Sequence, residues 1–268
     1  MRASFAVSIA VGFAAWLAPG PSLAQTCPAP KAMTFEVQSQ IRRDILGLTQ
    51  GLEARGDKLF ESTGRIAGDT RLTTIDPRTG KVTVLANFGT RFFGEGLTIL
   101  NNQIFQLSWQ EHLAFVYDLN GKLVRSMRNM QEGWGLTNDG TNLIFTDGGD
   151  RLYYVNPADF RILRSVPVRL GAAPLPALNE LENVDGKIYS NVFQTWDIVR
   201  IEPRTGCVEA IARMNALWDR MSLEERRHIQ TDSNFVLNGI AYDAAQRIFY
   251  VTGKNWMTIF AGRFVHQR

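Results

Sequence analysis

A short segment returns five times along the chain with its first residue changed each time: Gln50-Gly-Leu, Glu95-Gly-Leu-Thr, Trp134-Gly-Leu-Thr, Asn179-Glu-Leu and Asn238-Gly-Ile. Each copy runs through an apolar strand, a polar turn and a second strand. The copies start 45, 39, 45 and 59 residues apart. A period of about 40–50 residues is what a four-stranded propeller blade occupies, and a chain so patterned folds by stacking equivalent units. Five copies predict an all-β fold, a five-bladed β-propeller. An ordinary β-sandwich would need the period to be coincidence.

A second signal follows each of the first four hairpins: Ile75-Asp-Pro-Arg-Thr-Gly-Lys-Val, Tyr117-Asp-Leu-Asn-Gly-Lys-Leu-Val, Val155-Asn-Pro-Ala-Asp-Phe-Arg-Ile and Ile201-Glu-Pro-Arg-Thr-Gly-Cys-Val. Asp or Asn, Pro and Gly between alternating runs are turn chemistry, so these predict the outer hairpins of the blades. The longest interval holds the one good helix signal, Arg213 to His228. There Ser222 and Glu225 have capping-box spacing, and Leu217, Trp218, Met221 and Ile229 make an apolar stripe. It reads as a helical insertion between blades 4 and 5, either packed on the surface or acting as a substrate lid.

Residues 1–24 carry Arg2, an apolar run from Phe5 to Leu17, Gly20-Pro21 and then Ser22-Leu23-Ala24. This is the order of a secretory signal, with cleavage predicted after Ala24. The run is shorter than the ~18 residues a spanning helix needs, so the mature form is expected to be exported, periplasmic or secreted, without a membrane segment. Residues 25–268 then form a single catalytic domain, expected to be monomeric. The two cysteines, Cys27 and Cys207, remain in that domain. Export permits a disulfide between them, and two free thiols are the alternative. The formal charge of +3 is spread among acids, which gives no nucleic-acid face.

In a propeller the innermost strands line the axis, so equivalent repeat positions converge. The converging set would be Gln50, Glu95, Trp134, Asn179 and Asn238. A buried carboxylate without partners costs several kcal/mol, so a Glu and three carboxamides around a Trp point to a ligand. Fourteen residues after Glu95 comes Trp109, fourteen after Asn179 comes Phe193, and the last copy ends in Thr252-Gly253-Lys254. These add two aromatic walls and an ammonium to the same cavity.

The segments Leu48-Thr-Gln-Gly-Leu52, Phe93-Gly-Glu-Gly-Leu-Thr98, Glu132-Gly-Trp-Gly-Leu-Thr137, Leu178-Asn-Glu-Leu-Glu182, Asn191-Val-Phe-Gln-Thr195, Val236-Leu-Asn-Gly-Ile-Ala-Tyr-Asp243 and Thr252-Gly-Lys254 resemble, in order, the motifs of the plant and bacterial type of glutaminyl-peptide cyclotransferase. The resemblance implies conversion of N-terminal glutamine of peptides and proteins to pyroglutamate with release of ammonia, without a metal or other cofactor. It also implies an active site at Gln50, Glu95, Trp109, Trp134, Asn179 and Lys254, with Glu95 transferring protons. Leu48 and Phe193 stand where the family usually has Phe and Trp, and Trp196 where it more often has Asp. These departures bear on the pocket wall.

The residues themselves fit that chemistry. Glu95 is the ring's acid, suited to accept and return a proton. Lys254 would stabilise an oxyanion or tune Glu95. Gln50 and Asn179 carry donors and acceptors for the bent substrate. Trp109, Trp134 and Phe193 would enclose its methylene chain, and Asn238 is either a binding group or turn chemistry. Two other classes compete. A calcium-dependent lactonase-type propeller could use Glu95, Asn179 and Asn238 as oxygen ligands, although one carboxylate is few for a divalent ion. A non-enzymatic secreted binding propeller would put its distinctive residues on an exposed rim. His112, His228 and His266 lack zinc-ligand spacing.

Overall fold

Strand follows strand from Lys31 to His266 in the computed structural model, which describes residues 26–65 and 69–266. The signal segment predicted at residues 1–24 lies outside the described residues. β1 (Lys31–Arg42) comes first. Three antiparallel runs follow, each a four-stranded sheet in sequence order. They are β2 (Leu48–Arg55), β3 (Lys58–Gly64), β4 (Thr70–Ile75) and β5 (Val82–Gly89); β6 (Gly94–Leu100), β7 (Gln103–Ser108), β8 (Leu113–Tyr117) and β9 (Leu123–Arg128); and β10 (Leu136–Asn138), β11 (Leu143–Phe145), β12 (Arg151–Val155) and β13 (Ile162–Pro167). A small hairpin, β14 (Arg169–Leu170) and β15 (Ala173–Pro174), leads to β16 (Leu178–Val184), β17 (Lys187–Val192), β18 (Asp197–Glu202) and β19 (Cys207–Arg213). Two short helices, α1 (Ala216–Arg220) and α2 (Leu223–Ile229), precede β20 (Leu237–Asp243), β21 (Ile248–Gly253) and β22 (Thr258–His266).

The last two runs share one ten-stranded sheet because β1 joins them. It pairs antiparallel with β22, from Met33 opposite His266 to Arg42 opposite Thr258, and parallel with β19 through Lys31–Met33. The chain's first strand thereby fastens its last. Just before β1, Cys27 is bonded to Cys207 at the start of β19, with Cα atoms 5.4 Å apart. The bridge spans 180 residues, and closing so long a loop in the unfolded chain contributes about 5 kcal/mol on the chain-entropy model.

The five repeats are the first strands of the five runs. β2 lies against β20 and β6, β6 against β10, β10 against β16, and β16 against β20, which closes a ring. The repeated Gly-Leu explains how. A Cβ on Gly51 would stand 2.3 Å from the Leu97 nitrogen, on Gly96 2.4 Å from the Leu136 nitrogen, and on Gly135 2.0 Å from the Asn179 oxygen. Neighbouring first strands therefore touch backbone to backbone, which only glycine permits. The residue after it, Leu52, Leu97, Leu136, Leu181 or Ile240, is at most 1% exposed. Each such side chain contributes about 1.5–3 kcal/mol by leaving water.

In the fourth copy Glu180 replaces the glycine. Its carboxylate reaches across the ring to accept the Leu52 N–H at 3.1 Å and the Ile240 N–H at 2.8 Å. One side chain thus ties the fourth run to the first and fifth.

The outer turns form as predicted, with Gly80 N–H bonded to the Asp76 carbonyl at 2.8 Å, Gly121 to Asp118 at 3.0 Å and Gly206 to Glu202 at 2.8 Å. The third turn uses Phe160 at φ 60° where the others have glycine. Its ring is buried against Phe145, 5.5 Å away, and that packing offsets the left-handed backbone.

The helical insertion stands where predicted, with Leu217, Met221 and Ile229 buried in the core and Trp218 packed against it. The capping box is only half made. Ser222 Oγ accepts the Glu225 N–H at 3.1 Å, but the Glu225 carboxylate turns into the protein. There it accepts the N–H groups of Met257 and Thr258 at 2.9 Å each and the Thr258 hydroxyl at 2.6 Å. Tertiary donors outcompete the cap because Glu225 is fully buried.

Candidate active site

A β-bulge opens four of the five first strands at the repeat position. Register slips by one residue between Thr49 and Gly51, Gly94 and Leu97, Leu178 and Leu181, and Leu237 and Ile240. Gln50, Glu95, Asn179 and Asn238 fall within these slips. A bulge leaves a residue unpaired and re-aims its side chain, so one backbone device turns the variable residues toward the ring's end. Trp134, just ahead of β10, reaches the same level by donating its N–H to Thr146 O at 2.9 Å while its own carbonyl accepts the Gly96 N–H at 2.7 Å.

The resulting cavity encloses about 560 Å³ and is lined by Gln50, Glu95, Trp109, Trp134, Asn179, Phe193 and Lys254, with Leu48, Phe93, Arg65, Asp232, Asn234 and Phe235 completing the wall. Seven of the eight predicted site residues therefore meet. Asn238 is the correction: it is fully buried behind Gln50 and does not line the cavity. Its amide donates to Thr49 O at 3.0 Å and to Gln50 Oε1 at 3.3 Å, so it reaches the cavity only through Gln50. The bulge that places the other three residues in the cavity lining leaves Asn238 facing the neighbouring strand.

Two aromatic pairs form the walls. Phe93 and Trp109 meet edge to face with centroids 5.6 Å apart, and Trp134 and Phe193 do so at 5.5 Å. Trp134 lies over Gly148, where a Cβ would come within 2.6 Å of the indole. Lys254 Nζ sits 4.8 Å from the centre of the Phe193 ring, a cation–π contact. The loop after α2 adds Asp232, Asn234 and Phe235, while α1 and α2 contribute no lining residue. The helices are thus packed structure, and the segment that follows them reaches the cavity. Sequence reasoning gave no signal for this loop or for Arg65, because neither repeats.

The electrostatics single out Glu95. Its carboxyl receives no hydrogen bond from the described residues, and burial pushes its pKa well above the usual carboxylate range. The Lys254 charge opposes that shift, and the charges of Glu111 and Glu132 add to it. No Glu95–Lys254 ion pair of 4.0 Å or less forms among the described residues. Burial likewise lowers the Lys254 pKa, with Glu95 opposing. Asn179 lines the cavity, and its buried Oδ1 has no hydrogen-bond partner among the described residues. Asp232, the other carboxyl in the lining, is exposed. Among the described residues no three of His, Cys, Asp and Glu gather as a metal-binding group.

The model of the glutamine cyclotransferase family matches residues 9–264. A glutaminyl-peptide cyclotransferase of Arabidopsis thaliana is 36% identical over 229 residues, covering 84% of this chain and 70% of its own. The crystal structure of Myxococcus xanthus glutaminyl cyclase superposes with a TM-score of 0.78 at 27% identity, covering 89% of this chain and 100% of its own. With a family match across nearly its whole length and a curated relative at this identity, the chain belongs to the glutamine cyclotransferase family.

Proposed function

We propose that this chain is a five-bladed propeller enzyme that cyclises N-terminal glutamine of peptides and proteins to pyroglutamate, with Glu95 carrying the proton. The activity is that named for the Arabidopsis relative and the Myxococcus structure. Five runs of strands whose first members close a ring support the five-bladed reading. The observation that carries the site assignment is Glu95 itself, a buried carboxyl in an aromatic cavity with no donor among the described residues and raised proton affinity. A structural carboxylate would be hydrogen-bonded.

The reaction joins the substrate's α-nitrogen to its own side-chain carbonyl carbon and breaks the bond from that carbon to the amide nitrogen. One proton leaves the amine and one reaches the departing ammonia. Glu95 takes the first and returns the second. Its raised proton affinity makes it a stronger base than an ordinary carboxylate in the first half, and the carboxylic acid so formed donates in the second. Lys254 lines the same cavity and is placed to donate to the oxyanion of the tetrahedral intermediate. Asn179 and Gln50 offer their amide groups to the substrate from the cavity lining, with Gln50 held by Asn238. Trp109, Trp134 and Phe193 fold the methylene chain back on itself, which places nucleophile and carbonyl together.

Incubation with a Gln-initiated dipeptide, followed by mass spectrometry, is expected to show loss of one ammonia at the same rate with and without chelator. Turnover abolished by chelator would favour a metal-dependent propeller instead. Export after cleavage at Ala24 is supported by the order of residues 1–24 and by the Cys27–Cys207 bridge. Amino-terminal sequencing of the exported protein tests it. A monomeric state is checked by light scattering on the same material.

A further inference from the structure

Glu132 stands two residues before Trp134 in the segment joining β9 to β10, and nothing in the repeat assigns it a task. In the structure its Oε2 accepts the indole N–H of Trp109 at 2.9 Å and that of Trp134 at 3.3 Å, while Oε1 accepts the Gln110 amide at 3.3 Å. The two indoles come from different runs of strands, Trp109 just after β7 and Trp134 just before β10, so no local structure sets their relative angle. An indole has a single donor, and fixing its N–H fixes the rotation of the ring. The segment is itself held, with Gln131 N–H on Asn129 Oδ1 at 3.1 Å, Gly133 N–H on Trp109 O at 3.2 Å and His112 Nδ1 against Gln131 O at 3.0 Å. A Cβ on Gly133 would fall 2.5 Å from Ser108 O.

We propose that Glu132 is a positioning residue for cyclisation: one carboxylate, accepting both indole N–H groups, holds two aromatic walls at a fixed separation over Glu95 and sets a negative charge beside it. This rests on the reading of the cavity as the active site with Glu95 as proton carrier. The charged groups acting on Glu95 are Lys254, Glu111 and Glu132, of which the two carboxylates hold its pKa up and Lys254 pulls it down. Arg65 stands at the cavity wall and His112 beside the Glu132 segment. Removing the Glu132 charge therefore makes Glu95 lose its proton at lower pH, and removing the acceptor frees the walls.

Glu132→Gln keeps a carbonyl oxygen for the indoles and deletes the charge, whereas Glu132→Ala deletes both. Steady-state kcat and KM for a Gln-initiated peptide across pH 5–9 are measured for these variants, wild type and Glu95→Gln. The acid limb of kcat is expected at lower pH in both Glu132 variants. KM should rise about 10-fold or more in Glu132→Ala and stay within about 3-fold of wild type in Glu132→Gln, as both indole hydrogen bonds are lost in the first and kept as neutral ones in the second. If Glu132→Ala fails to fold, the limb of Glu132→Gln decides. Glu132 variants with the wild-type limb and wild-type KM, beside an inactive Glu95→Gln, would overturn the proposal and leave the role of Glu95 standing. An active Glu95→Gln would overturn that role first.

Discussion

Glu95 and Glu180 are neighbours in repeat space and opposites in function. Both are buried carboxyls on first strands, and burial raises the pKa of both well above the usual range. Glu180 accepts two backbone N–H groups from β2 and β20, whereas Glu95 accepts none among the described residues and opens on the cavity. The same desolvation that the fold compensates in one place is left uncompensated in the other. A carboxyl with donors is held as structure. One without them retains its capacity for a proton.

Exchanging the two tests this contrast. Glu95→Gln removes the proton carrier, so kcat for a Gln-initiated peptide is expected to fall about 10²–10⁴-fold, with a thermal midpoint no lower than wild type. Glu180→Ala strands the Leu52 and Ile240 N–H groups and is expected to lose about 2–5 kcal/mol in denaturant unfolding, while kcat of the folded protein stays within about 10-fold. Loss of activity without loss of stability in Glu180→Ala would erase the distinction.

Smaller effects sharpen it. Asn238→Ala frees the Gln50 amide and should raise KM about 5- to 10-fold, the worth of roughly 1 kcal/mol of hydrogen bonding. Farther along the first strands, partly buried Glu53 is pushed up to about 7, first by desolvation, with Thr98 and Arg55 opposing, and Glu182 is raised by burial and by repulsion from Glu53 and Glu180. Folded-state pKa values above the unfolded ones mean stability that is complete below about pH 4.5 and lost as pH rises through about 7. The thermal midpoint is expected to drop a few degrees between pH 5 and pH 8, about 1–2 kcal/mol for a chain this size. Glu53→Gln should flatten that slope.

The sequence disclosed what depends on local chemistry. The five Gly-Leu copies mark backbone contacts, and the Asp-Pro and Gly turns fall between third and fourth strands because they need only their own residues. The same turns hid one exception, Phe160, whose left-handed backbone is offset by burial against Phe145. What was illegible is what distant groups decide. Asn238 reads like Asn179, but its amide meets Thr49 and Gln50. Glu225 reads like a capping partner until Thr258 supplies better donors. Glu180 reads as a broken repeat, and only the ring shows that two strands depend on it. Cys27 and Cys207, 180 residues apart, could be paired only as one of two possibilities until β1 was placed beside β19.

The central claim, that burial without a donor makes Glu95 the proton carrier, is tested most directly by the pH dependence of kcat in wild type and Glu95→Gln. Wild type should show an acid limb well above the ordinary carboxylate range, and the residual rate of Glu95→Gln should lack it. A limb at the ordinary carboxylate position, or one that survives unchanged in Glu95→Gln, would contradict the account.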